Sequence, residues 1–157
     1  MPDKKKVMII QATVPHYRIP IFNELAKTVD LTLIYNRGSV PADVKFASKK
    51  IDVINIKNKL WIHKKNIIRE ARKYDVVISM LDLSYLTTRI LCRFRGKVKL
   101  ILWGIGVAAG YETRFDSVPE TVLAYKKAID LADAALFYST YPVDKYLKLG
   151  VPGNKLF

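Results

Sequence analysis

Apolar runs of strand length alternate along this chain with stretches of helical period. Strands are predicted at 7–11, 31–35, 53–56, 76–81, 99–103 and 134–138, and helices at 19–28, 63–73, 85–94 and 119–131. Ser117, Pro119 and Glu120 form a capping box with proline in the first turn, which fixes the start of the helix at 119. Ser139 or Thr140 caps a last helix, and Gly150 and Pro152 stop it. The strands read as nearly continuous hydrophobic runs, the pattern of a parallel sheet covered on both faces. The expectation is therefore an α/β fold: a doubly wound, Rossmann-like parallel sheet of six strands in the order 3-2-1-4-5-6, with right-handed crossovers and helices on both faces. The segment 36–50 is the longest stretch without a pattern.

Sheets of this kind bind ligands at the carboxyl ends of their strands, where the strand order reverses. Three segments of the sequence fall there. The first holds His16, Tyr17 and Arg18, an imidazole, a phenol and a guanidinium at a strand-to-helix junction, where Arg18 can clamp a phosphate. The second begins at Asp82, which suits a general base, a hydroxyl acceptor or a helix cap shared with Ser84. The third carries Gly104, Gly106 and Gly110, either a turn that lets the backbone approach its neighbours or a degenerate dinucleotide fingerprint. The acidic residue that a dinucleotide site needs after the next strand is missing, since that strand ends in Tyr138 and Ser139. No Walker loop, nucleophile elbow or metal-ligand spacing is present, and Cys92 falls on the apolar side of a helical pattern with Leu86, Ile90 and Phe94.

Composition adds a size and a charge. The 157 residues, half of them hydrophobic and 11% aromatic, suit one domain with a real core and exclude disordered, collagen-like and disulfide-scaffold classes. A lone cysteine fits a reducing compartment, so a cytoplasmic location is expected. The apolar stretch after Lys4–Lys6 is too short for a secretion signal, and 100–110 is too short to cross a bilayer, which takes about 20 residues.

The formal charge is +13, and residues 1–99 hold all of the excess, with 21 basic against 8 acidic groups. Lys65, Arg69, Arg72 and Lys73 fall at helical spacing and form one stripe if 63–73 is a helix, with Arg89 and Arg93 adding to it and Trp61 beside it. Such a stripe suits a merely solvated face, an anionic membrane surface or nucleic acid. No zinc spacing, aromatic sheet motif or recognition helix supports nucleic acid, so of the two partners an anionic lipid surface, the inner face of the cytoplasmic membrane, is the expected one, and a merely solvated face stays open beside it.

Three separated segments share a resemblance. Residues 8–25, MIIQATVPHYRIPIFNEL, resemble the amino-terminal start of GT-B fold, family-4-like retaining glycosyltransferases, the matching positions being His16, Tyr17, Arg18, Pro20, Phe22 and Leu25. Residues 100–106, LILWGIG, are similar to the family's strand and W-G-x-G turn, and 132–139 with 146–151 are similar to the segment leading to the inter-domain linker. The resemblance implies that 1–157 is the acceptor-side half of a two-domain enzyme whose donor-binding, carboxyl-terminal domain lies outside this chain. It implies no cofactor in this half, a nucleotide-sugar donor held mainly by the other, and a lipid-linked or glycan acceptor at His16, Tyr17, Arg18, Asp82, Gly104, Gly106 and Gly110. The expected role is glycan synthesis of the lipopolysaccharide or capsule type. Ile105 stands where relatives often carry histidine, so no catalytic residue is assigned. A non-enzymatic basic α/β module remains the alternative.

Overall fold

The computed structural model describes residues 4–107 and 119–157. Strands β1 (Lys6–Thr13), β2 (Asp30–Arg37), β3 (Ala47–Lys50), β6 (Val76–Met80), β7 (Lys99–Gly104) and β8 (Ala134–Phe137) form one sheet in the order β3-β2-β1-β6-β7-β8. Every neighbouring pair is parallel, with Val7 of β1 opposite Leu31 on one side and Val76 on the other. The expected α/β class, six-strand count and spatial order are all present. Between these strands run α1 (Ile19–Leu25), α2 (Ile67–Ala71), α3 (Leu86–Phe94), α4 (Pro119–Leu131) and α5 (Thr140–Lys148), while β4 (Val53–Ile56) and β5 (Leu60–His63) stand apart from the main sheet.

Alternation along the strands divides the core in two, because successive side chains leave a strand on opposite faces. Met8 and Ile10 join Ile67, Leu91, Leu102, Ile129 and Tyr146 on one face. Val7 and Ile9 join Phe22, Leu33 and Phe46 on the other, where α1 and the chain before β3 supply the cover. Cys92 is buried, as its pattern predicts.

Two elements differ from expectation. The third strand of the sheet is Ala47–Lys50 and not 53–56; all four residues are exposed at the sheet edge, so they carry no hydrophobic pattern, and lysines protect an edge from further pairing. The segment 53–56 instead pairs antiparallel with Leu60–His63. The hairpin connection is three residues long, Lys57 to Lys59, with Lys57 and Asn58 at φ of 51° and 55° and the Lys59 amide donating to the Ile56 carbonyl at 3.2 Å.

The helix expected over 63–73 is likewise shorter. His63 belongs to β5, and α2 begins only after Asn66, whose side chain accepts from the Arg69 amide at 2.9 Å. Lys65 therefore precedes the helix, and Arg72 and Lys73 follow its last residue, so the four cations do not form a stripe on one helix. Arg72 donates to the Phe94 carbonyl and Lys73 pairs with Glu70 at 2.8 Å. Trp61 is half-buried, stacked on Tyr85 at 6.5 Å and covered by the Arg37 guanidinium at 5.3 Å. Arg69, Arg89 and Arg93 are exposed. The capping serine, Ser117, lies outside the described residues.

Candidate functional site

An open cleft of about 940 Å³ lies at the carboxyl ends of β1, β6 and β7, where the chain order of the sheet reverses. Its walls include Gln11 and Thr13 from β1, Arg18 from the turn that follows, Asp82 after β6, and Trp103 to Val107 at the end of β7. Thr121 and Tyr125 of α4 close one side and Tyr138 another.

Arg18 is the most constrained group in it. The turn at His16–Arg18 swings the side chain back over the sheet, where its guanidinium lies 4.7 Å from the centre of the Trp103 ring. One terminal nitrogen donates to the Gln11 Oε1 at 2.5 Å and the other to the Tyr138 hydroxyl. Gln11 is nearly fully buried, which fixes the acceptor in place. No carboxylate among the described residues pairs with Arg18, and its Nε has no hydrogen-bond partner. A cation held by neutral groups on a low-dielectric wall attracts an anion strongly. Burial pushes the Tyr138 phenol up from its ordinary value, against the opposing charge of Arg18, so Tyr138 stays a neutral donor.

Asp82 faces the same cleft. Its Oδ1 accepts from the Ser84 amide at 2.9 Å and the Ser84 hydroxyl at 2.6 Å, which makes it the head of a side-chain turn before α3. Tyr125 sits near enough for the Asp82 charge to join burial in raising its phenol.

The two described glycines have packing reasons. A Cβ on Gly104 would lie 2.9 Å from that of Leu81. Gly106, at φ +74°, rests against Phe137 and Pro142, and its carbonyl accepts from the Tyr146 hydroxyl at 2.7 Å. The turn is thus built for close approach, and its backbone forms part of the cleft wall.

The structure brings together Tyr17, Arg18, Asp82, Gly104 and Gly106 from three separate segments. His16 is exposed on the same turn, edge-on to the Tyr17 ring, and does not line the cleft. Gly110 lies outside the described residues. Gln11, Thr121, Tyr125 and Tyr138 line the cleft although sequence reasoning did not select them. Of these only Gln11 carried a signal, as an amide ending an apolar strand. Among the described residues no three His, Cys, Asp or Glu side chains cluster to hold a metal, and no helix is long and apolar enough to cross a membrane.

The fold and the cleft define a Rossmann-like α/β domain with an open cleft at the switch point of its sheet. No family model and no curated protein matches the chain. Among solved structures it is similar to a UDP-GlcNAc 2-epimerase from Methanocaldococcus jannaschii, at 16% identity and a TM-score of 0.57, over 97% of this chain and 44% of that one. It is also similar to a putative UDP-N-acetylglucosamine 2-epimerase from Listeria monocytogenes, at 15% identity and a TM-score of 0.59, over 98% of this chain and 44% of that one. The chain therefore shares the Rossmann-like fold of part of these proteins and spans less than half of their length.

Proposed function

We propose that this chain is the acceptor-binding domain of a glycosyltransferase that moves a sugar from a nucleotide-sugar to a lipid-linked or polysaccharide acceptor. The observation that carries the reading is Arg18, fixed on both terminal nitrogens and facing an open cleft without a carboxylate partner. Around it stand the rings of Trp103 and Tyr138, on which the guanidinium rests, and a carboxylate at Asp82, which suits sugar hydroxyls. The fold neighbours are sugar-nucleotide enzymes by name, which supports the substrate class. The donor then belongs mainly to a second domain outside this chain, in a two-domain enzyme working at the inner face of the cytoplasmic membrane through the exposed Arg69, Arg89 and Arg93.

A second reading, a half of an epimerase-like enzyme that itself holds UDP-GlcNAc, is favoured by those same neighbours. Amide-resolved NMR of the 157-residue chain separates the two. The acceptor reading expects acidic oligosaccharides to shift Thr13, Trp103 and Gly106 at concentrations at least tenfold below those at which UDP-GlcNAc does so. The reverse order favours the epimerase-like reading.

A further inference from the structure

The cleft does not end at Asp82. A second basin of about 420 Å³ shares Asp82, Thr121 and Tyr125 with it and passes between Lys59 of the β4–β5 hairpin and Glu120 of α4. A third, of about 190 Å³, shares Leu83, Arg89 and Ala124 with the second and runs down the groove between α3 and α4. The two shared walls set the three basins side by side in a row from Arg18 to Leu131.

Polarity changes along this path. The first basin sets Arg18 against Asp82, and the middle one sets Lys59 and Arg89 against Asp82 and Glu120, a balanced mixture of the kind that accepts and donates to sugar hydroxyls. Among the described residues the last basin holds Arg89, Arg93 and Lys127 and no acid, over a floor of Cys92, Ala128 and Leu131. Arg93 and Lys127 are exposed and make no ion pair with another described residue. Three cations above an apolar floor match an anion joined to a hydrocarbon chain.

We infer that the acceptor is a glycolipid with a phosphate between sugar and hydrocarbon, lying along this path. The inference rests on the acceptor reading above. Its sugars run from Arg18 and Asp82 through the middle basin, its phosphate lies between Arg93 and Lys127, and its first methylenes lie on Ala128 and Leu131.

The test uses the 157-residue chain and three soluble probes below their micelle concentrations: octyl phosphate, octyl glucoside and glucose 1-phosphate. Octyl phosphate is expected to shift the amides of Arg93, Ala124 and Ala128 and to bind at least tenfold more tightly than octyl glucoside. The double variant Arg93→Glu, Lys127→Glu, which alters two exposed side chains, is expected to lower octyl phosphate affinity at least tenfold and to leave glucose 1-phosphate at Arg18 unchanged. Equal affinity for the two octyl compounds, or a double variant that binds octyl phosphate as well as the parent, overturns the inference. Failure of glucose 1-phosphate to shift any amide around Arg18 and Asp82, with the octyl phosphate signals intact, overturns the sugar-binding reading instead.

Discussion

His63 shows how one buried side chain ties stability to pH. It is nearly fully buried at the end of hairpin strand β5, with Nδ1 at 2.8 Å from the Thr87 hydroxyl and Nε2 without a partner among the described residues. Burial lowers its pKa from 6.5 to about 4, so the folded protein keeps it neutral while the unfolded chain takes up a proton below 6.5. Stability is therefore lost as pH falls from about 6.5 toward 4, by about 3 kcal/mol in all. His63→Gln is expected to flatten that dependence, measured as urea midpoints at pH 7 and pH 4.5. Gly106 is predicted to be equally unforgiving. A methyl group there would meet the Phe137 ring at 2.5 Å on a backbone at φ +74°, so Gly106→Ala is expected to destabilise by about 2 kcal/mol or more in denaturant titration. The sequence marked Gly106 as a glycine in a strand-end turn; that Phe137 and Pro142 make it obligatory follows from a contact more than thirty residues away, which no local pattern encodes. Arg18 and Asp82 were legible because the topology rule points at strand ends, whereas Tyr125 enters the cleft from a helix face that reads as ordinary core.

At the scale of elements, the central strands were legible because burial on both faces forces continuous apolar runs. Edge strand β3 was not, since exposed Ala47–Lys50 can be polar and still pair. The hairpin was hidden for a related reason: its turn uses Lys57 and Asn58 where an Asn-Gly pair would have announced it. That choice also leaves a lysine in the left-handed region, which costs about 1 kcal/mol. Replacing the pair by Lys57→Asn and Asn58→Gly is expected to raise the thermal midpoint, read by circular dichroism, with about 1 kcal/mol of added stability. The basic stripe failed as a helix stripe because Asn66 caps the helix two residues before Ile68 and the chain leaves it before Arg72. Its cations are instead divided between ion pairs, carbonyl contacts and solvent.

At the scale of the whole molecule, the parts converge on one end of the sheet. The carboxyl ends of β1, β6 and β7 place Gln11, Asp82 and Trp103 around a cleft, and the turn after β1 lays a fixed guanidinium into it. Of the cations in the first 99 residues, Arg18 lies in the cleft and Arg89 and Arg93 line the groove beside it. The central claim is that Arg18 recognises an anionic sugar-bearing ligand in this cleft. Isothermal titration calorimetry of the parent chain and Arg18→Met with an acidic oligosaccharide tests it most directly. The account predicts measurable binding by the parent and a loss of at least tenfold in the variant, with the thermal midpoint of the variant close to that of the parent. Equal affinity in the two proteins would contradict it.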